Sequence, residues 1–152
     1  MITIIPESVT GGDAFIASYN GTKYKFNARW IEAPLAKNSF YEWEVSRNHL
    51  CDLIYIYNQK LTVIPWSSFP SPDANNTNLP IIYSDWFLQG YDIQLKMMQL
   101  GSVKFRYSLL SEVDNFSNQE LSKMARVLKL QNFCKSHQIG LWRNPLSSLI
   151  LN

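Results

Sequence analysis

Residues 11–35 read GGDAFIASYNGTKYKFNARWIEAPL, and the fold turns on this stretch. Phe15 to Tyr19 alternates as a strand should. Asn20-Gly21 supplies the two residues that a tight hairpin with positive φ demands. Lys23 to Ile31 then runs back as a partner strand, and Pro34 ends it by removing a ladder donor. Upstream, Ile2, Ile4 and Ile5 open an earlier strand that Gly11-Gly12 interrupts. The N-terminal part therefore predicts a meander of three antiparallel strands.

Downstream the period changes. Between residues 39 and 57, Phe40, Trp43, Leu50, Leu53, Ile54 and Tyr57 recur at three- and four-residue steps, which predicts a helix. Its end, LIYIY, is β-branched and aromatic and equally suits the start of a strand. Residues 60–66 read as a fourth strand, 67–78 as a polar loop with two prolines, and 79–83 as a fifth strand. Asp92 is placed to cap a short helix that Gly101 stops. Ser117-Asn118-Gln119-Glu120 is a capping box opening the last helix, for which Gly140 supplies a C-terminal glycine. The order is β-β-β-α-β-β-α-α. A β-barrel plus helices of class α+β is expected, a five-stranded OB-fold in one domain covering residues 1–152.

Composition narrows the function classes. Of the 152 residues, 46% are hydrophobic and 17% charged, so a packed core is expected and disorder is not. No apolar run approaches the ~20 residues that a membrane helix needs, and the first residues do not read as a signal peptide. A cytoplasmic location, or the inside of an assembly such as a virion or organelle, is expected. Cys51 and Cys134 fit no metal spacing and read as two reduced, buried thiols, with a disulfide as the alternative. His49 reads as a surface histidine, and His137 lies in the last helical turn. The net charge of +2 conceals an asymmetry, because eight of the fourteen basic residues but only three of the twelve acidic ones follow residue 95. Lys104, Arg106, Lys123, Arg126 and Lys129 are the candidates for a nucleic-acid surface. A solvated helix face is the competing reading.

Several corners of the chain carry a family likeness. Gly12-Asp13-Ala14 precedes the second strand, Glu32-Ala33-Pro34-Leu35 ends the third, and Met124-Ala125-Arg126 leads along the last helix to Gly140-Leu141-Trp142. In order and spacing, over roughly residues 5–143, these resemble the staphylococcal nuclease family. The resemblance implies phosphodiester cleavage with one Ca²⁺, a glutamate that activates water, and two arginines on the phosphate. Hard oxygen ligands suit Ca²⁺, and planar guanidinium forks suit a phosphate gaining charge.

Carried over residue by residue, the resemblance puts metal ligands at Asp13, Glu32 and the carbonyl of Ala33. The general base falls at Leu35, which cannot accept a proton. The arginines fall at Asn27 and at Thr77. Arg29, two residues beyond Asn27, is a candidate substitute, set against an arginine paired with a carboxylate or lying over an apolar patch. Asp73 is a candidate replacement carboxylate. Asp13 reads equally as a turn aspartate bonding its neighbours, and Glu32 as a solvated strand end. The expectation is a catalytically silent nuclease-like domain, without a catalytic residue or a cofactor, serving as an interaction or structural subunit of a larger assembly. Trp66, Phe69 and Trp86, in or beside the long loop, are its expected partner contacts. The alternatives are a Ca²⁺-dependent nuclease with a rearranged site, or a non-catalytic nucleic-acid-binding module.

Overall fold

A computed structural model describes residues 1–55, 60–70 and 78–151. The protein is α+β: a curled, mixed sheet forms a half-barrel and packs with helices. In chain order the described elements are β1 (Ile2–Ile4), β2 (Ser8–Gly11), β3 (Ala14–Tyr19), β4 (Thr22–Ala28), β5 (Ile31–Glu32), α1 (Phe40–Tyr55), β6 (Leu61–Pro65), β7 (Ile81–Leu88), β8 (Tyr91–Asp92), α2 (Ile93–Gln99), β9 (Lys104–Phe105), α3 (Asn118–His137) and α4 (Ser148–Leu151). Short 3-10 segments, Tyr107–Asn115 and Gly140–Arg143, precede and follow α3.

The principal sheet runs β1-β6-β7-β4-β3-β2, with β8 added to β7, and β5 pairs separately with β9. Among the described strands, only β4 and β7 pair in parallel. The two ends of the path are neighbours in sequence, separated by Ile5, Pro6 and Glu7. Pro6 has no N–H to give a ladder, so the first strand breaks there and its halves pair with different partners, β6 and β3. That switch curls the sheet.

The structure divides strands that the sequence reading left whole. The third strand stops at Ala28 and resumes as β5 beyond the bend at Arg29 and Trp30. The fifth strand, expected over residues 79–83, instead runs Ile81–Leu88. Its inward set is Ile82, Ser84, Trp86 and Leu88, a period-two pattern that continues through the polar Ser84 and Asp85. Phe15, Phe26, Ile82, Trp86, Leu61 and Val63 form the floor of the half-barrel, all fully buried. The Phe15 ring lies 5.2 Å from Phe26 and 4.9 Å from Trp86, centroid to centroid.

Helix α1 is clamped to β2 from both sides. Trp43 Nε1 donates to Thr10 O (3.2 Å) and Arg47 Nε to Val9 O (2.9 Å). The expected caps of α2 and α3 are present. Asp92 accepts from Leu95 N (3.1 Å), and Ser117 and Glu120 close the reciprocal capping box. At the other end of α3 the left-handed cap is Gln138 (φ 53°), not Gly140. Gly140 has a different task. It and Gly101 both have positive φ and meet backbone to backbone, with Leu141 N donating to Gly101 O (2.9 Å). A Cβ on Gly101 would sit 2.4 Å from Ile139 O, and one on Gly140 2.3 Å from Leu100 O. This contact fastens the chain after α3 to the end of α2, and Cys134, Leu141, Trp142 and Leu149 bury together beside it. Both cysteines are free thiols, with Cys134 buried and Cys51 half-buried.

Candidate functional site

The turn from β2 into β3 projects Asp13 toward the start of the loop that follows β5. Its Oδ2 accepts from Ala33 N (3.2 Å), and its backbone carbonyl accepts from Ala28 N (2.7 Å). Glu32 stands on β5, whose pairing with β9 sets Glu32 opposite Lys104 and carries Arg106 just past the strand end. Arg106 then folds back over this corner. Its Nη2 donates to Ala28 O and to Ile31 O (3.0 Å each). The same guanidinium lies 3.8 Å from Asp13 Oδ2 and 3.7 Å from Glu32 Oε1. It also faces the Tyr83 ring at 5.1 Å. Burial pushes the Asp13 carboxyl above the usual carboxylate range, and the Ala33 N–H and the Arg106 charge pull it back.

Asp13 and Glu32 are thus brought together, and a side-chain cation holds them. Four oxygens, two from carboxylates and two from carbonyls, converge on Arg106. That is a donor set of the hard kind Ca²⁺ prefers, at ~2.3–2.6 Å from the ion. The guanidinium already occupies the space and supplies the compensating charge, so a divalent cation does not fit while Arg106 is in place. Ala33 turns its N–H, not a free carbonyl, toward Asp13.

Among the described residues, the remaining positions carried over from the resemblance offer no replacement chemistry. Asn27 lies between Ala14 and Tyr83 in the ladder, and its Oδ1 is buried with no hydrogen-bond partner among the described residues. Leu35 is 52% exposed, an aliphatic side chain in solvent. Thr77 and Asp73 lie outside the described residues. Arg29 is 5% exposed, pairs with Glu120, and stacks on the Trp66 ring with its guanidinium carbon 3.5 Å from the centroid. It is a buried strut between the bend after β4 and the start of α3.

Two expected surfaces are corrected by burial. Of the basic set, Lys104 is buried, Arg106 points into the corner just described, and Lys123 pairs with Asp92 and lies 3.7 Å from Asp85. Only Arg126 and Lys129 stand in solvent. Steps of three on a helix of 3.6 residues per turn fall short of a full turn by about 60° each, so Lys123 has rotated about 120° away from Lys129. Of the aromatic set, Trp86 is fully buried and donates to Ser84 Oγ (2.9 Å). Phe69 folds onto Tyr19 and Tyr24, with centroids 4.8 and 4.9 Å away. Trp66 remains partly exposed, with one face taken by Arg29. His49 is half-buried and hydrogen-bonded to Ser102.

No protein-family model matches the chain, and no curated protein matches it in sequence.

Proposed function

We propose that this is a catalytically silent OB-type barrel of the staphylococcal-nuclease kind, kept as an interaction or structural subunit of a larger assembly. The strand path supports the fold part. With the first strand counted once across its break at Pro6, the order is first, second, third, fifth, fourth and back to first, with the third and fifth parallel. A helix lies between the third and fourth strands, and α2, α3 and the short α4 follow the fifth, which is compatible with the OB reading.

One observation carries the functional part: Arg106 sits between Asp13 and Glu32. In the resemblance those two residues would hold the metal that draws charge from the phosphate. Here one guanidinium faces both carboxylates and offsets part of their charge, and it spends two donors on backbone carbonyls. Leu35 offers no base, a role that contributes ~10²–10⁴-fold where present. Asn27 offers no charge, and each lost electrostatic stabiliser costs ~10²–10³ in rate. The losses do not simply multiply, yet together they reduce cleavage to background.

The test is incubation of the purified chain with single-stranded DNA and with RNA in the presence of Ca²⁺. Intact substrate is expected. Cleavage that EGTA and Asp13→Ala both abolish would sink the silent-domain reading in favour of a rearranged nuclease.

A further inference from the structure

α2 and α3 leave a groove of about 580 Å³ between them. Its floor is aliphatic and aromatic, from Leu95, Leu130 and Phe133, and its rim carries Arg126, Lys129 and His137. Phe133 is 52% exposed, and the His137 ring stacks on it at 4.0 Å. Neither Arg126 nor Lys129 has an ion-pair partner among the described residues. Nor does the local sequence supply one. From Leu121 to His137 there is no aspartate or glutamate, and α2 has none either. An apolar trough edged by uncompensated cations is the electrostatic complement of a segment that is apolar on one side and acidic on the other.

We infer that this groove docks an acidic amphipathic helix of a partner protein. The inference rests on the interaction-subunit reading above and gives its partner a chemistry. The groove's length suits the occupant: its lining on α3 runs from Arg126 to His137, about 17 Å at 1.5 Å per residue, room for a helix of about three turns. Apolar anchors at i, i+3 and i+4 would meet Leu95, Leu130 and Phe133, and carboxylates on the flanks would meet Arg126 and Lys129. Single-stranded nucleic acid suits it less well. Binding of that kind uses free aromatic faces for stacking, and here one face of Phe133 is already covered by His137.

The experiment uses fluorescence anisotropy with a labelled synthetic amphipathic helix of about four turns, glutamates on one face and leucines with one phenylalanine on the other. The same composition scrambled and a labelled oligothymidine are compared with it. Saturable binding of the amphipathic peptide is expected, weaker for the scramble and weakened by salt. The Arg126→Glu, Lys129→Glu double variant should lose at least ~10-fold in affinity, while its thermal melt stays that of the native chain because both side chains are exposed. Phe133→Ser should weaken binding without abolishing the salt dependence. No saturable binding by the native protein, or equal binding by the double variant, overturns the inference. Tighter binding of oligothymidine assigns the groove to nucleic acid instead and equally overturns it. The cleavage assay on the same preparation keeps the two readings apart, since absence of peptide binding leaves catalytic silence intact.

Discussion

Arg106→Ala removes the group on which the corner between β4, β5 and β9 closes. The guanidinium makes two hydrogen bonds to carbonyls, each 3.0 Å. Charge-assisted bonds of this kind contribute about 1.5–3 kcal/mol each when their partners are left buried. The two carboxylates are 25% and 33% exposed, so water screens and rehydrates them, and each ion pair adds at most about 1 kcal/mol. The backbone relaxes in part, which brings the expected loss to about 3–4 kcal/mol, or a Tm lowered by roughly 10 °C for a chain of this size. Urea denaturation gives the free energy and calorimetry the Tm. Arg106→Lys should recover less than half of the loss, because an ammonium keeps the charge but not the fork. The variant also frees four oxygens around one point. Ca²⁺ at about ten times its Kd should then stabilise Arg106→Ala by about 1.4 kcal/mol and leave the native chain unchanged. A loss below about 1 kcal/mol would refute the argument, since it falls within what exposed ion pairs contribute. Stabilisation of both proteins by Ca²⁺ to the same degree would refute it as well.

Three further outcomes follow from packing and burial. Gly101→Ala and Gly140→Ala each put a Cβ under 2.5 Å from a carbonyl oxygen at positive φ, and each should cost about 2 kcal/mol or more in urea melts; near-neutral values would contradict the backbone contact. Trp86→Ala should cost about 3–5 kcal/mol as a core truncation, whereas Trp66→Ala should cost only about 1–2 kcal/mol, the worth of its stacking on Arg29; the reverse order would contradict the placement of the two rings. Burial raises the Asp85 carboxyl above its ordinary value, with Lys123 pulling it back. The native state therefore holds that proton at a pH where the unfolded chain releases it. Its contribution is fully present below the unfolded value and is lost as pH rises through the raised folded value. Relative to Asp85→Asn, the native chain should gain stability as pH falls through the raised carboxyl value toward the ordinary aspartate range, and parallel stability curves would count against this.

Local signals in the sequence carry much of the fold. Asn20-Gly21, the capping box at Ser117 and the cap at Asp92 state their geometry in two to four adjacent residues, and all three appear where they were expected. The extension of β7 was hidden because Ser84 and Asp85 interrupt an apolar run, although the alternation Ile82, Ser84, Trp86, Leu88 continues through them. Pro6 was the visible sign that the first strand breaks, but where each half pairs is a long-range fact. The candidate corner divides in the same way. The closeness of Asp13 to Glu32 came through the resemblance, from a turn and a strand end. Arg106 came from elsewhere, because only the pairing of β5 with β9 brings it in. Basic residues at three-residue steps looked like one surface, whereas rotation about the helix axis and the carboxylates of Asp85 and Asp92 take Lys123 out of it. Trp86 and Phe69 looked exposed because they adjoin a polar loop. Aromatic side chains carry enough apolar area to be drawn into any nearby core, and the half-barrel provides one.

In the proposed reading, Arg106 holds the place between Asp13 and Glu32 that a metal ion would need. A crystal structure of the native chain grown with an excess of Ca²⁺ tests it most directly. The guanidinium of Arg106 should lie between the two carboxylates, bonded to the carbonyls of Ala28 and Ile31. A metal ion coordinated by Asp13 and Glu32 at about 2.4 Å, with Arg106 swung out to solvent, would contradict it.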